Sequence, residues 1–150
     1  MCTGSRVWED RDAIAAAMRE TSPAVVIAGD CPRGADPMFA DIARHSAECE
    51  LIVKRADWSK GRGAGMKRNA EMIAEAERIE VERGMYAMVL AAWDGKREHS
   101  GTLDCLRRGA QVGWTWRCLS GPGVKPMDMA WLGRHLRGKR QQQPTLWPTR

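Results

Sequence analysis

The sequence predicts an α/β protein, a Rossmann-like three-layer α/β/α sandwich with a mostly parallel sheet and a C-terminal helical appendage. Three observations carry this reading. Short apolar runs alternate with longer stretches of helical spacing. The runs are apolar throughout, as strands are when helices cover both faces of a parallel sheet. Three glycine-containing polar clusters, Thr3-Gly4-Ser5-Arg6, Arg33-Gly34-Ala35-Asp36 and Ser100-Gly101-Thr102, each stand where an apolar run gives way to a helical pattern.

The strands are expected at 24–28, 51–53, 87–92 and 112–116. Over 10–19 the apolar positions Ala13, Ile14, Ala17 and Met18 form one helical face, and 36–47 repeats the pattern with Phe39, Ile42, Ala43 and Ala47. The longest helix is expected over 65–83, with Met66, Ile73, Ala76 and Ile79 inward. Gly84 is its stop, and Arg78 stands four residues before Glu82. A further helix starts near Gly101. After Ser120-Gly121-Pro122-Gly123 the pattern changes: Met127, Trp131, Leu132 and Leu136 mark one more amphipathic helix, followed by a basic, glutamine-rich tail. The expected division is therefore a nucleotide-binding domain over 1–118 and an appendage over 119–150, with no internal repeats.

The 150 residues suffice for one domain, and 43% hydrophobic with 29% charged residues is ordinary for a globular protein. No apolar stretch approaches the roughly 20 residues of a membrane helix, and the N-terminus lacks signal-peptide regions, so no membrane partner and a cytoplasmic location are expected. Five cysteines, odd in number and widely spaced, complete no zinc pattern; they are expected to be reduced and mostly buried, and no metal is expected. The net charge of +5 lies outside the core: 1–118 carries 18 basic and 18 acidic residues, and 119–150 carries six basic residues against Asp128. A neutral body with a basic tail is a poor match to a dedicated duplex-DNA reader.

In an open α/β sheet, ligands bind beyond the carboxyl ends of the strands, the edge on which all three clusters fall. A glycine at such a junction admits close approach of an anion, and the following helix offers unpaired N–H groups and the positive end of its dipole. Gly4, Ser5, Gly34, Gly101 and Thr102 are the expected phosphate cradle, with Arg6, Arg33 and Arg68 supplying charge and Ala35 a further ligand-binding position. Ser100 and Thr102 equally suit helix capping. Asp36 is either a favourable charge near a helix start or an acceptor for ribose hydroxyls. Trp58, after Asp57 at a strand end, is either a core residue or a stacking platform for a base. Arg68 and Asn69, past the glycine-rich segment 61–65, lie near the start of the long helix, where either can face the ligand. A nucleophilic role for Cys31 or Cys105 and an acid role for His99 are weaker readings, since no partner is placed by sequence.

Taken together with Trp8, Ala56-Asp57-Trp58, Gly61, Ala64-Gly65, Arg68-Asn69 and Met72, the three clusters resemble, in order and spacing, the YspA-type, YpsA-related branch of the SLOG superfamily. The resemblance covers 1–118. That superfamily also holds the LOG phosphoribohydrolases and the DprA/Smf DNA-processing proteins, and members of this branch often occur in phages and mobile elements. The resemblance implies a Rossmann-like fold and a pocket for nucleotides or nucleotide-derived signals. LOG enzymes carry G-G-x-G-T-x-x-E; counted from Gly101-Thr102, the Glu position is Cys105 here, and the acid comes one residue early at Asp104. A residue is about 100° of helix, so Asp104 does not replace that Glu directly. The family also has a full strand before T-G-S-R, where this chain has only Met1 and Cys2.

The expected function is binding of a nucleotide or ADP-ribose-like ligand for sensing or sequestration. One alternative is a nucleotide N-glycosidase or phosphoribohydrolase with Asp36, Asp57 or Asp104 as the acid. Another is DprA-like contact with nucleic acid through the basic tail. A homodimer is expected through the apolar face of the helix over 127–136, which intramolecular docking explains equally well.

Overall fold

The computed structural model describes residues 1–61, 63–121 and 123–136. Among the described residues, five strands and five α-helices alternate along the chain. β1 (Cys2–Gly4) leads to α1 (Arg11–Thr21), β2 (Val25–Ala28), α2 (Ala35–Arg44) and β3 (Glu50–Val53). A short 3-10 turn (Trp58–Lys60) precedes α3 (Ala64–Arg83), and β4 (Met88–Trp93), α4 (Gly101–Gln111), β5 (Thr115–Ser120) and α5 (Pro126–Leu136) complete the order.

Every strand pairing is parallel. β1 pairs with β4 in the register Cys2 to Leu90, β4 with β5 from Met88 opposite Thr115, and β2 with β3 from Val25 opposite Glu50. Hydrogen bonding thus forms a three-stranded sheet, β1-β4-β5, and a pair, β2-β3; β2 lies beside β1 without a ladder between them, so the strands follow the order β3-β2-β1-β4-β5 across the molecule. Alternation along the strands divides the core. Val26, Ala28, Leu90 and Ala92 pack with Ile14, Phe39 and Ala43 of α1 and α2 on one side. Ile27, Val89, Ala91 and Trp93 pack with Met72, Ile73, Leu103 and Leu106 of α3 and α4 on the other. This is the expected three-layer sandwich.

Local chemistry sets the helix ends. The Asp10 carboxylate caps α1 by accepting from Ala13 N at 2.8 Å, and the Ser100 hydroxyl caps α4 by accepting from Leu103 N at 3.2 Å. Gly84 ends α3 in the left-handed conformation, and Arg78 pairs with Glu82 as the spacing predicts.

Four details depart from the sequence reading. Met66 is 40% exposed, and Met72, a turn and a half later, takes the inward place. α2 ends at Arg44, not 47, because His45 N and Ser46 N turn back to Asp41 O and Ala43 O. The segment 112–116 is not one strand: Val112 and Gly113 form the turn out of α4, with Gly113 at φ +88°, and β5 starts at Thr115 and passes 118 to end at Ser120. On α5, Met127 is exposed, whereas Leu132 and Leu136 are buried in the core of this same chain. That docking covers the Leu132 and Leu136 part of the face that gave a physical reason for a homodimer, and leaves Met127 outside it. Most of the basic tail, 137–150, lies outside the described residues.

Candidate functional site

With this strand order, connections after β1 run to one face and those after β4 to the other, so β1 and β4 flank the topological switch point of the sheet. The loops beyond their carboxyl ends are joined directly. The Ser5 hydroxyl donates to Asp94 Oδ2 at 2.7 Å, and Ser5 N donates to Ala92 O at 2.9 Å.

The loop after β2 closes on the same point. Ala35 N donates to Ser5 O at 3.1 Å. Gly34 has φ +78°, and a Cβ there would lie 2.2 Å from Ser5 O. A Cβ on Gly4 would lie 2.3 Å from the Ala35 side chain. Glycine at 4 and 34 is thus required by the approach of α2 to β1, whether or not an anion is bound. The N-terminus of α2 and the Ser5-Arg6 turn are thereby locked together.

Beside this junction lies a polar network built on two buried residues, Asp36 and Asn69, and on half-buried partners. Arg68, on the first turns of α3, reaches Asp30 Oδ1 at 3.2 Å and Asp36 Oδ2 at 3.7 Å. Gly29 makes room for it, since a Cβ at 29 would meet the guanidinium at 1.9 Å. Burial pushes the Asp36 carboxyl up from the ordinary carboxylate range, opposed by the Arg68 charge and by a hydrogen bond from Cys31 N at 3.3 Å. Asn69 is 3% exposed: its Oδ1 accepts from Arg68 Nε, and its Nδ2 donates to Gly101 O at 3.2 Å and to Asp104 Oδ2 at 3.0 Å. Arg108 Nε also donates to Asp104, at 2.9 Å. One chain of contacts thus runs from the loop after β2, through α3, to the start of α4.

The expected site residues sort into four groups. Arg6 and Arg33 are exposed at this edge and form no ion pair among the described residues; Arg6 sits 5.7 Å from the ring centre of Trp58. Trp58 is 54% exposed, which answers its two readings against the core. Ser5, Ala35, Asp36, Arg68, Asn69 and Gly101 are held by the contacts above, with Arg68 and Asn69 engaged by protein partners, while Gly34, like Gly4, serves the close approach of α2 to β1 and Ser100 caps α4. Asp57 is exposed on the outer side, where Lys60 and Ser59 hold its carboxyl below the usual range; it shares a shallow cleft with Arg55, Lys67 and Arg68. Thr102, in the first turn of α4, is buried.

All five cysteines are free. Cys105 is fully buried and its thiol is pushed up to about 12 by desolvation, so it carries no nucleophile at neutral pH. Cys105 points into the core while Asp104 points to Asn69, as the helical offset requires. Two residues that sequence reasoning passed over, Asp30 and Asp94, hold the site together. Each is the first acid after a buried strand, a position at the carboxyl edge that was the available signal. Among the described residues no group of acids, histidines and cysteines is arranged to hold a metal, and no helix is long and apolar enough to cross a membrane.

The fold and this edge define the class: a Rossmann-like α/β domain with its loops gathered at the switch point. The sequence matches no known family profile, no curated protein and no solved structure.

Proposed function

We propose that the chain binds a nucleotide or nucleotide-derived signal across the carboxyl ends of β1 and β4. The observation that carries this reading is the closed set of contacts Ser5–Asp94, Ser5–Ala35, Asp36–Arg68 and Asn69–Gly101, which gathers four loops around the switch point. Arg6 and Arg33, without ion-pair partners among the described residues, stand there as cations for phosphate, and the exposed Trp58 offers a face for a base. The resemblance to the SLOG superfamily rests on these same residues and supports the same reading.

The test is a thermal-shift and calorimetric screen against nucleoside mono- and diphosphates, ADP-ribose and cyclic nucleotides. A ligand at a hundred times its dissociation constant stabilises by about 2.7 kcal/mol. Binding that Arg6→Ala combined with Gly101→Trp abolishes, with the fold intact by circular dichroism, supports the site; undiminished binding places it elsewhere.

A second reading, hydrolysis of an N-glycosidic bond, is favoured by one feature. Asp36 is buried with its carboxyl pushed up, the condition for an acid that protonates a leaving base while water adds to the sugar carbon. Asp57, held low and exposed, and Asp104, engaged by Asn69 and Arg108, suit that role less well. Chromatographic detection of free base separates turnover from binding.

A further inference from the structure

The loop between β4 and α4 supplies Asp94 at one end and the Ser100-Gly101 turn at the other, both belonging to the candidate site. Little within the loop holds it. Lys96 N donates to Asp94 Oδ1 at 3.1 Å, and Lys96 O accepts from the Trp93 indole at 3.0 Å. His99 stands at φ +49°, in the left-handed region that histidine visits more readily than most residues with a side chain.

Further contacts to the loop come from the C-terminal appendage. Arg97, at the middle of the loop, donates to Asp128 Oδ1 of α5 at 2.6 Å, and its guanidinium lies 4.5 Å from the ring centre of Trp131. Trp131 is itself stacked on His135 at 4.0 Å. Asp128 is fixed in turn by Lys125 N at 3.1 Å. Ahead of α5, a Val124 methyl lies 3.4 Å from the position a Cβ on Gly95 would take, and Gly121 N donates to Trp93 O at 3.1 Å. The base of α5 is rooted by Leu132 and Leu136 in the α3–α4 core.

We propose that Arg97, with Asp128 and Trp131, is a clasp by which α5 holds the β4–α4 loop in its ligand-binding shape, making Arg97 a positioning residue for the site. The appendage is then part of the site's machinery rather than an ornament, and detaching it is a means of lowering ligand affinity. The affinity consequence rests on the nucleotide-binding reading; the clasp itself does not.

Hydrogen exchange on the full chain separates the two. In Arg97→Ala, amides of 95–101 should exchange about tenfold faster, the change of one 1.4 kcal/mol step in opening, while those of β4 stay protected. Asp128→Asn, which keeps the stacking, should lie between Arg97→Ala and wild type, and Arg97→Lys should restore most of the protection. Unchanged exchange in both Arg97→Ala and Trp131→Leu overturns the clasp. Titration of AMP and ADP-ribose supplies the second arm, with an expected loss of about fivefold or more in affinity for Arg97→Ala and recovery in Arg97→Lys. Faster exchange with unaltered affinity overturns the link to the site. Faster exchange in a chain whose wild type binds neither ligand leaves the clasp standing and removes the nucleotide reading.

Discussion

The Ser5 hydroxyl donates to Asp94 across 2.7 Å and so ties the end of β1 to the end of β4 at the point where the strand order reverses. Two residues 89 apart in sequence thereby join the two strand ends that flank the switch point, the place at which open α/β sheets as a class bind ligands. The bond also orients the Ser5-Arg6 turn, whose Ser5 hydroxyl oxygen accepts from Val7 N at 3.3 Å.

Ser5→Ala should therefore cost about 1 to 2 kcal/mol of stability, the loss of one partly buried hydrogen bond to a charged acceptor. Urea unfolding of the two proteins checks it. Under the nucleotide-binding reading, the variant should also bind more weakly than its small loss of stability accounts for.

Two glycines of similar φ should respond differently to alanine. Gly34 (φ +78°) faces the backbone of Ser5 and Arg6, whereas at Gly61 (φ +81°) an added Cβ would meet nothing within 4 Å. Gly61→Ala should cost about 1 kcal/mol for its strained backbone alone. Gly34→Ala should cost at least about 1 kcal/mol more, from forced separation of α2 and β1. Equal losses by chemical denaturation would show that the Ser5–Ala35 junction yields freely.

Arg68→Leu should destabilise by about 3 kcal/mol, because it strips the buried Asp36 and its neighbour Asp30 of their shared counter-charge. Asp36 also gives a pH signature. Its carboxyl is raised above the ordinary value of 3.8, so the folded state holds this proton more tightly than the unfolded chain. That contribution is present at low pH and is lost as pH rises from 3.8 through the folded value. The stability of Asp36→Asn relative to wild type should accordingly improve with rising pH over that range, as read from unfolding curves at a series of pH values; a flat difference refutes the assignment.

Cys105→Glu places a carboxylate at a fully buried position between Thr3 and the α3–α4 core. It should destabilise by several kcal/mol and confer no base-releasing activity, since an unpaired buried charge is expelled or neutralised. In the native protein Cys2 and Cys105, with thiols pushed up to about 11 and about 12, should resist iodoacetamide at alkaline pH while half-buried Cys31 reacts first. Mass spectrometry after timed labelling reads both.

The layers of the fold were legible because burial on both faces leaves a local trace. Runs such as Val89-Leu90-Ala91-Ala92 and the helical faces of Ile14 and Phe39 declare strand and helix without reference to distant residues. The exit from α4 was misread because Val112 and Trp114 are apolar, yet Gly113 turns the chain between them and only Trp114 is buried. Apolarity states a preference for burial, and geometry decides which residue receives it.

By itself the sequence determined the class of fold, the edge at which its loops collect, and the exclusion of a spanning helix, since these follow from periodicity and from glycine and acid at strand ends. Tertiary structure decided the partners. Nothing local tells Arg68 that Asp30 and Asp36 will enclose it, gives Asn69 to Gly101 and Asp104, or sends Arg97 to α5. Such pairings depend on which strands lie side by side and on how closely helices approach, distances set by packing of the whole chain.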